Sequence, residues 1–387
     1  MDRKDSASLW NAPALEPGRE TVEGGPGRLT CVPPPLLPVE LSALSNSARC
    51  YQLAVEGRIE LPLVPRASEE VVVDPNQGIG IAVHDALREC LEQVATNLLV
   101  VVKLADTEGP HQLRTGLRRL LCVFSIYAPI LRNAESARLA GEARWLAHAV
   151  GGLRDLDVAA NKISSETEAH PDEPSLRPIA ERFARKAEDR RQLLRRRLAQ
   201  PRSRYFLIDL VRLVENRGRT CNRECHDGDG VPATINEFAG IALRDCWKAS
   251  CEASRGLDGL DFDLSHAFRK EIRNLRYTVE FLCSLFQDSQ TRPLLGSLRD
   301  LQTLLGSVSD ASMIQAMLTK EALTKRRTKL EYGAGWLIGT QNSYARSAWI
   351  GAKSVWSKIE RTDPFWSLDR SANSLATDDT AKTPSQV

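Results

Sequence analysis

HQLRTGLRRLLCVF (residues 111–124) and HAFRKEIRNLRYTV (residues 266–279) are one helix written twice. An offset of 155 residues places His266 on His111, Arg269 on Arg114 and Arg273 on Arg118 without a gap. The same offset then aligns RWLAHAVGGLRD (144–155) with RDLQTLLGSVSD (299–310), so Gly306 falls on Gly151 and Asp310 on Asp155. Apolar positions follow in register: Leu113 with Phe268, Leu117 with Ile272, Leu120 with Leu275, Leu146 with Leu301, and Leu153 with Val308. The reading is a duplicated helical unit, two antiparallel four-helix bundles related by a pseudo-twofold repeat.

Helical phase sorts each copy into two faces. At 100° per residue, with the histidine at zero, positions +3, +7 and +10 fall at about −60°, −20° and −80°. These are Arg114, Arg118 and Leu121 in the first copy, and Arg269, Arg273 and Arg276 in the second. Tyr277 and Arg119 flank the stripe. The apolar positions lie on the opposite side. Arginines at helical spacing repel one another by roughly a few tenths of a kcal/mol per pair, and Glu271 is the only acid within either stripe. Surface arginines paired with acids from other helices would satisfy this pattern. Its recurrence at identical phase favours a polyanionic partner, because guanidinium groups bind phosphate oxygens through paired, charge-assisted hydrogen bonds.

Outward from this pair, apolar residues recur at three- and four-residue spacing from about residue 80 to 360. They predict helices over 81–105, 110–131, 136–163, 175–199, 203–216, 234–255, 265–286, 291–306, 309–326 and 333–360. Breakers between segments include Gly109-Pro110, Pro129, Pro171, Pro201 and Pro293. The expected class is all-α, with repeat one over about 80–216, repeat two over about 234–361, and the helical domain running through 366. Residues 1–79 are expected to be a mostly disordered or loosely held N-terminal segment, and 1–36 are rich in Pro, Gly and Ser. Short β-like runs at 50–74 (CYQLAV, IELPLV, EVVVD) suggest a few strands. The polar tail, 367–387, reads as disordered.

The whole-chain charge of +2 conceals segregation. Residues 1–80 carry net −4, residues 362–387 net −2, and the helical region between them net +8. A third basic element, 176–204, has eleven Lys and Arg against three acids, with Arg191 and Arg195 on one face. No apolar run is long enough for a transmembrane helix and no secretory signal is visible, so a cytoplasmic protein without a membrane partner is expected. The nine Cys are scattered, as for reduced thiols. Cys221, Cys225 and His226 form the tightest set, but no second pair at finger spacing accompanies them, so no metal site is expected.

These motifs resemble the CHAD family, the conserved histidine α-helical domain, over roughly 80–366. The first copy matches at His111, Arg114, Arg118 and Arg119, then at Gly151 and Arg154-Asp155; the second matches at His266, Arg269, Arg273 and Arg276-Tyr277, then at Gly306 and Asp310. PRSRYFLIDL (201–210) and WSKIERTDPFW (356–366) are also similar to the family. Departures are Leu121 where another Arg is common, Arg273 where Lys is usual, Asn274 in place of a basic residue, and Ser309 in place of Asn. The resemblance implies the paired four-helix bundles and a basic central surface that binds inorganic polyphosphate. SARCYQLAV (47–55) resembles the end of a CYTH triphosphate-tunnel domain, which many relatives carry, but the Glu-x-Glu-x-Lys motif of that domain is absent.

The leading expectation is therefore a non-catalytic polyphosphate-binding module without a cofactor, in the cytoplasm or at polyphosphate granules. Its binding set is His111, Arg114, Arg118, Arg119, Arg154, Arg191, Arg195, His266, Arg269, Arg273, Arg276 and Tyr277. A nucleic-acid binder would use the same basic face, but the stripes carry little aromatic interleaving beyond Tyr277. A phosphohydrolase normally clusters carboxylates around Mg²⁺ or Mn²⁺. Asp155, Asp157 and Asp310 are the only candidates near the motifs, and two of them fit better as arginine-orienting groups.

Overall fold

The computed structural model describes residues 63–104, 107–215, 232, 234–257, 259–325, 328–362 and 364–366. Among these residues the secondary structure is helical: α1 (Ile79–Lys103), α2 (Glu108–Ile126), α3 (Ala134–Ala169), α4 (Arg177–Leu198), α5 (Pro201–Glu215), α6 (Ile235–Ala253), α7 (Phe262–Leu282), α8 (Asp288–Lys325) and α9 (Thr328–Glu360), with one 3₁₀ turn at Cys283–Leu285. Adding 155 to the bounds of α1, α2, α3 and α4 lands on α6, α7, α8 and α9 in turn. Consecutive helices pack extensively, α1 on α2, α2 on α3 and α3 on α4, then α6 on α7, α7 on α8 and α8 on α9, whereas α5 packs chiefly on α1 and α3. Short connections dictate this antiparallel neighbour packing.

Local chemistry sets the helix ends. The Asn133 side chain accepts from the Ser136 amide at 2.7 Å and starts α3. Thr234 accepts from the Glu237 amide at 3.2 Å to start α6. Asp261 accepts from the amides of Asp263 and Leu264 at 2.8 and 2.9 Å, starting α7. Each such cap contributes about 1 kcal/mol.

The apolar faces read from the repeat form the core. Leu113, Leu117, Leu120 and Phe124 of α2 are buried, as are Phe268, Ile272, Leu275 and Val279 of α7. Leu146, Val150 and Leu153 of α3 and their counterparts Leu301, Leu305 and Val308 of α8 join the same cluster. At the chain end, Trp366 is buried against Trp247, with ring centroids 5.6 Å apart.

Three local readings change. Residues 291–306 and 309–326, expected as two helices, belong to the single helix α8. Pro293 lies inside its second turn and forgoes one backbone hydrogen bond without ending the helix, and Gly306-Ser307 does not interrupt it. EVVVD (70–74) forms no strand; it runs as an irregular strap laid on the helices. Val71 and Val73 are buried in the core, and the Arg66 backbone and the Asn97 amide exchange hydrogen bonds at 3.1 and 2.8 Å. Part of the segment expected to be loosely held is therefore bound to both halves, because the Val73 amide also donates to Ser284 Oγ at 2.8 Å. The expected disorder of 1–36 and 367–387, the CYTH-like SARCYQLAV and the Cys221, Cys225, His226 set lie outside the described residues.

Candidate functional site

α2 and α7 present their polar faces toward each other, and between them opens a cleft of about 420 Å³. His111, Arg114, Arg118 and Arg154 line it from the first half, His266 and Arg269 from the second. Arg273 is not among the residues that line the cleft, and its charge opposes that of Arg118. Asp155 and Asp310, at equivalent repeat positions, flank the cleft with Ser309.

Of the three carboxylates that line the cleft, Asp155 and Asp310 are held in ion pairs, while Asp263 acts on His266. Arg114 Nη1 donates to Asp155 Oδ1 at 2.8 Å and to the Gly151 carbonyl at 3.1 Å. Gly151 permits this approach, since a Cβ there would stand 3.3 Å from Arg114 Nη1. Gly306 occupies the same place beneath Arg269, but the partner differs, because Asp310 Oδ2 pairs with Lys162 Nζ of the first half at 3.3 Å. Sequence reading missed Lys162. It stands seven residues after Asp155 on α3, hence on the same face, and that spacing was the available signal.

No carboxylate stands within ion-pair distance of Arg118, Arg154, Arg269 or Arg273 among the described residues. Desolvation and then Arg114 and Arg273 press the Arg118 pKa down to about 9, and burial lowers Arg269 and Arg273 in the same direction. Guanidinium groups stay cationic at neutral pH in proteins. His111 is held below the ordinary imidazole range by desolvation and by Arg154, and His266 by desolvation and by Arg269. Uncompensated cations in a partly dry cleft attract an anion.

Five expected site residues lie elsewhere. Arg119 is buried, with its guanidinium 4.7 Å from the Phe281 ring centroid and its Nη1 3.5 Å from Glu280. Arg276 pairs with Glu280 at 2.5 Å and stacks over Tyr277. Tyr277 itself is only 4% exposed. These three stand at the shoulders of the helical stripe, where the halves press together and solvent is excluded. Arg191 pairs with Asp157 and Glu188, at 2.8 and 2.7 Å. Arg195 donates to the carbonyls of Val101 and Leu104, closing the end of α1. Among the described residues no group of three or more His, Cys, Asp or Glu side chains is placed to hold a metal ion. No described helix is long and apolar enough to cross a membrane.

Comparison with known proteins identifies the scaffold. Two uncharacterized proteins from strains of Mycobacterium tuberculosis are each 28% identical over 248 residues, covering 62% of this chain and 45% of each relative. The chain thus spans less than half the length of the curated relatives it matches. The crystal structure of the CHAD domain from the plant Ricinus communis superposes with a TM-score of 0.66 at 19% identity, covering 77% of this chain and 97% of that one. PptA from Streptomyces chartreusis gives 0.56 at 14% identity, covering 72% and 99%. The CHAD domain family model matches residues 85–319, more than half of the chain, and the protein belongs to the CHAD family.

Proposed function

We propose that this protein binds inorganic polyphosphate, without catalysing a reaction on it, in the cleft between α2 and α7. The carrying observation is the set Arg118, Arg269 and Arg273, partly buried cations with no carboxylate at ion-pair distance among the described residues. Leaving such charges uncompensated is costly, and chain phosphates supply the compensation. Each charge-assisted hydrogen bond to phosphate is worth about 1.5–3 kcal/mol. His111 and His266 flank the same cleft and donate more strongly when protonated.

A hydrolase reading is disfavoured by the donor chemistry. Asp155 and Asp310 are engaged by Arg114 and Lys162, and Asp157 is engaged by Arg191. Nucleic acid would meet the same cations, but Tyr277, the one aromatic group expected to stack on a base, is buried. Competition distinguishes the two ligands. Polyphosphate is expected to displace labelled RNA from the protein at equal phosphate concentration, and RNA not to displace labelled polyphosphate. The reverse order would favour the nucleic-acid reading.

A further inference from the structure

The first and third helices of each half are covered differently. In the first half α5 lies across α1 and α3 and buries Phe206, Leu210 and Leu213 in the core. Two ion pairs tie it to α3: Arg138 with Asp209 at 2.8 Å, and Arg202 with Glu142 at 2.8 and 3.1 Å. The 155-residue offset places Pro293 on Arg138 and Ser297 on Glu142, so α8 offers neither charge at these positions. Among the described residues no fifth helix follows in the second half. Instead α9 runs on to Glu360, and the chain beyond it seats Trp366 on Trp247 of α6 and Phe365 on Trp366, with ring centroids 5.6 and 4.9 Å apart.

This shorter cover leaves a hollow of about 340 Å³ between Trp247, the first turns of α8 and the end of α9. Its volume falls in the range of small-molecule sites, roughly 300–1,000 Å³. Trp247, Leu294, Ile359, Phe365 and Trp366 supply its apolar wall, and Ser297 adds a neutral hydroxyl donor. Lys358 is the one charged residue that lines it. Lys358 is exposed and makes no ion pair among the described residues.

These residues define the guest. Rings on several sides favour a flat aromatic group, which gains edge-to-face and offset contacts on entering. A lone ammonium with no acid opposite it selects an anion. One ammonium balances one carboxylate, whereas a phosphate monoester, at about −1.5 to −2, would be left partly uncompensated. Polyphosphate has no apolar surface to set against such walls, so the hollow and the cleft call for different ligands.

We propose that the hollow between α6, the start of α8 and the end of α9 is a second binding site, for a small aromatic carboxylate. The ring enters between Trp247, Leu294 and Phe365, and the carboxylate pairs with Lys358. The site belongs to the second half alone, because in the first half α5 and its two ion pairs occupy the corresponding joint. It stands independently of the polyphosphate reading of the cleft.

Equilibrium dialysis of the folded full chain against 2-naphthoate tests this. The expected result is saturable binding of one molecule per chain that excess long-chain polyphosphate does not displace. The neutral analogue 2-naphthamide is expected to bind about tenfold more weakly, and Lys358→Met to weaken 2-naphthoate by the same factor, the loss of one charge-assisted contact. Ser297→Trp, which fills the hollow, is expected to abolish binding with helical circular dichroism unchanged. Absence of saturable binding, displacement by polyphosphate, equal affinity for the amide, or an unchanged affinity in the exposed Lys358→Met variant would each overturn the proposal, and none of these results bears on whether the cleft holds polyphosphate.

Discussion

α2 and α7 descend from one pattern but spend their shared arginine differently. In the first half, Arg114 is tied to Asp155 and to the Gly151 carbonyl. In the second, Arg269 has no carboxylate at ion-pair distance; Asp310, paired with Lys162 of the other half, acts on it only from farther off. The divergent positions differ more sharply. Arg119 corresponds to Asn274, and Arg276 to Leu121, so each half brings one arginine that the other lacks, and both converge on Glu280. The retained His111, Arg114, Arg118, His266 and Arg269 line the cleft; the arginines that diverged hold the halves together.

Reversing charge at the retained pair is the largest way to break this comparison. Arg118→Glu/Arg273→Glu replaces two cations with two anions, and polyphosphate affinity is expected to fall at least about a hundredfold, two lost charge-assisted contacts, with helical circular dichroism unchanged. The divergent positions should respond in stability instead. Arg119→Ala removes a buried guanidinium that bonds the Glu69 carbonyl and lies over Phe281, and because Glu280 keeps Arg276, urea unfolding is expected to report a loss of about 2 kcal/mol. The equivalent Asn274→Ala, which loses a hydrogen bond to Glu271 at 3.2 Å, is expected to cost about 1 kcal/mol. Affinity for polyphosphate should change little in either folded variant.

Within the retained set, the braced and unbraced arginines separate next. Arg269→Ala is expected to weaken polyphosphate binding by about tenfold. Arg114→Ala should cost less, since its charge is already offset by Asp155. Equal losses would show that the bracing is immaterial to binding.

The smallest effect is on pH. Both histidines titrate below their ordinary value in the free protein, through burial and neighbouring arginines. A bound polyanion raises those values, so binding takes up protons. Affinity should therefore rise as pH falls from the bound toward the free pKa and level off below it. His111→Gln/His266→Gln should flatten this part of the profile. The apo protein carries the opposite sign: protonating a depressed histidine disfavours the fold, so the contribution to stability is complete above the ordinary value near 6.5 and declines below it.

Much of this division was legible from residue spacing. The period of Leu113, Leu117 and Leu120 against Phe268, Ile272 and Leu275 located the core, and the histidine phase located Arg118 and Arg273. The stripe's edges were not legible. Arg119 and Tyr277 stand within a quarter turn or so of the cleft residues, and only the packing of one half on the other decides that they are buried. Arg191 and Arg195 share a face, but α4 turns it onto Asp157 and the end of α1. The join of 291–306 with 309–326 was legible in hindsight from the repeat, since the corresponding stretch in the first half reads as one helix. The strap was hidden because its order comes from Arg66, Val71 and Val73 meeting distant helices, and no local period encodes that.

The central claim, that uncompensated arginines between α2 and α7 hold polyphosphate, is tested most directly by calorimetric titration of the wild-type chain with linear polyphosphate across a salt series. The account predicts measurable binding at low salt and an affinity that falls steeply with salt as counterions are released. Absence of binding at low salt by pure, folded protein would contradict it.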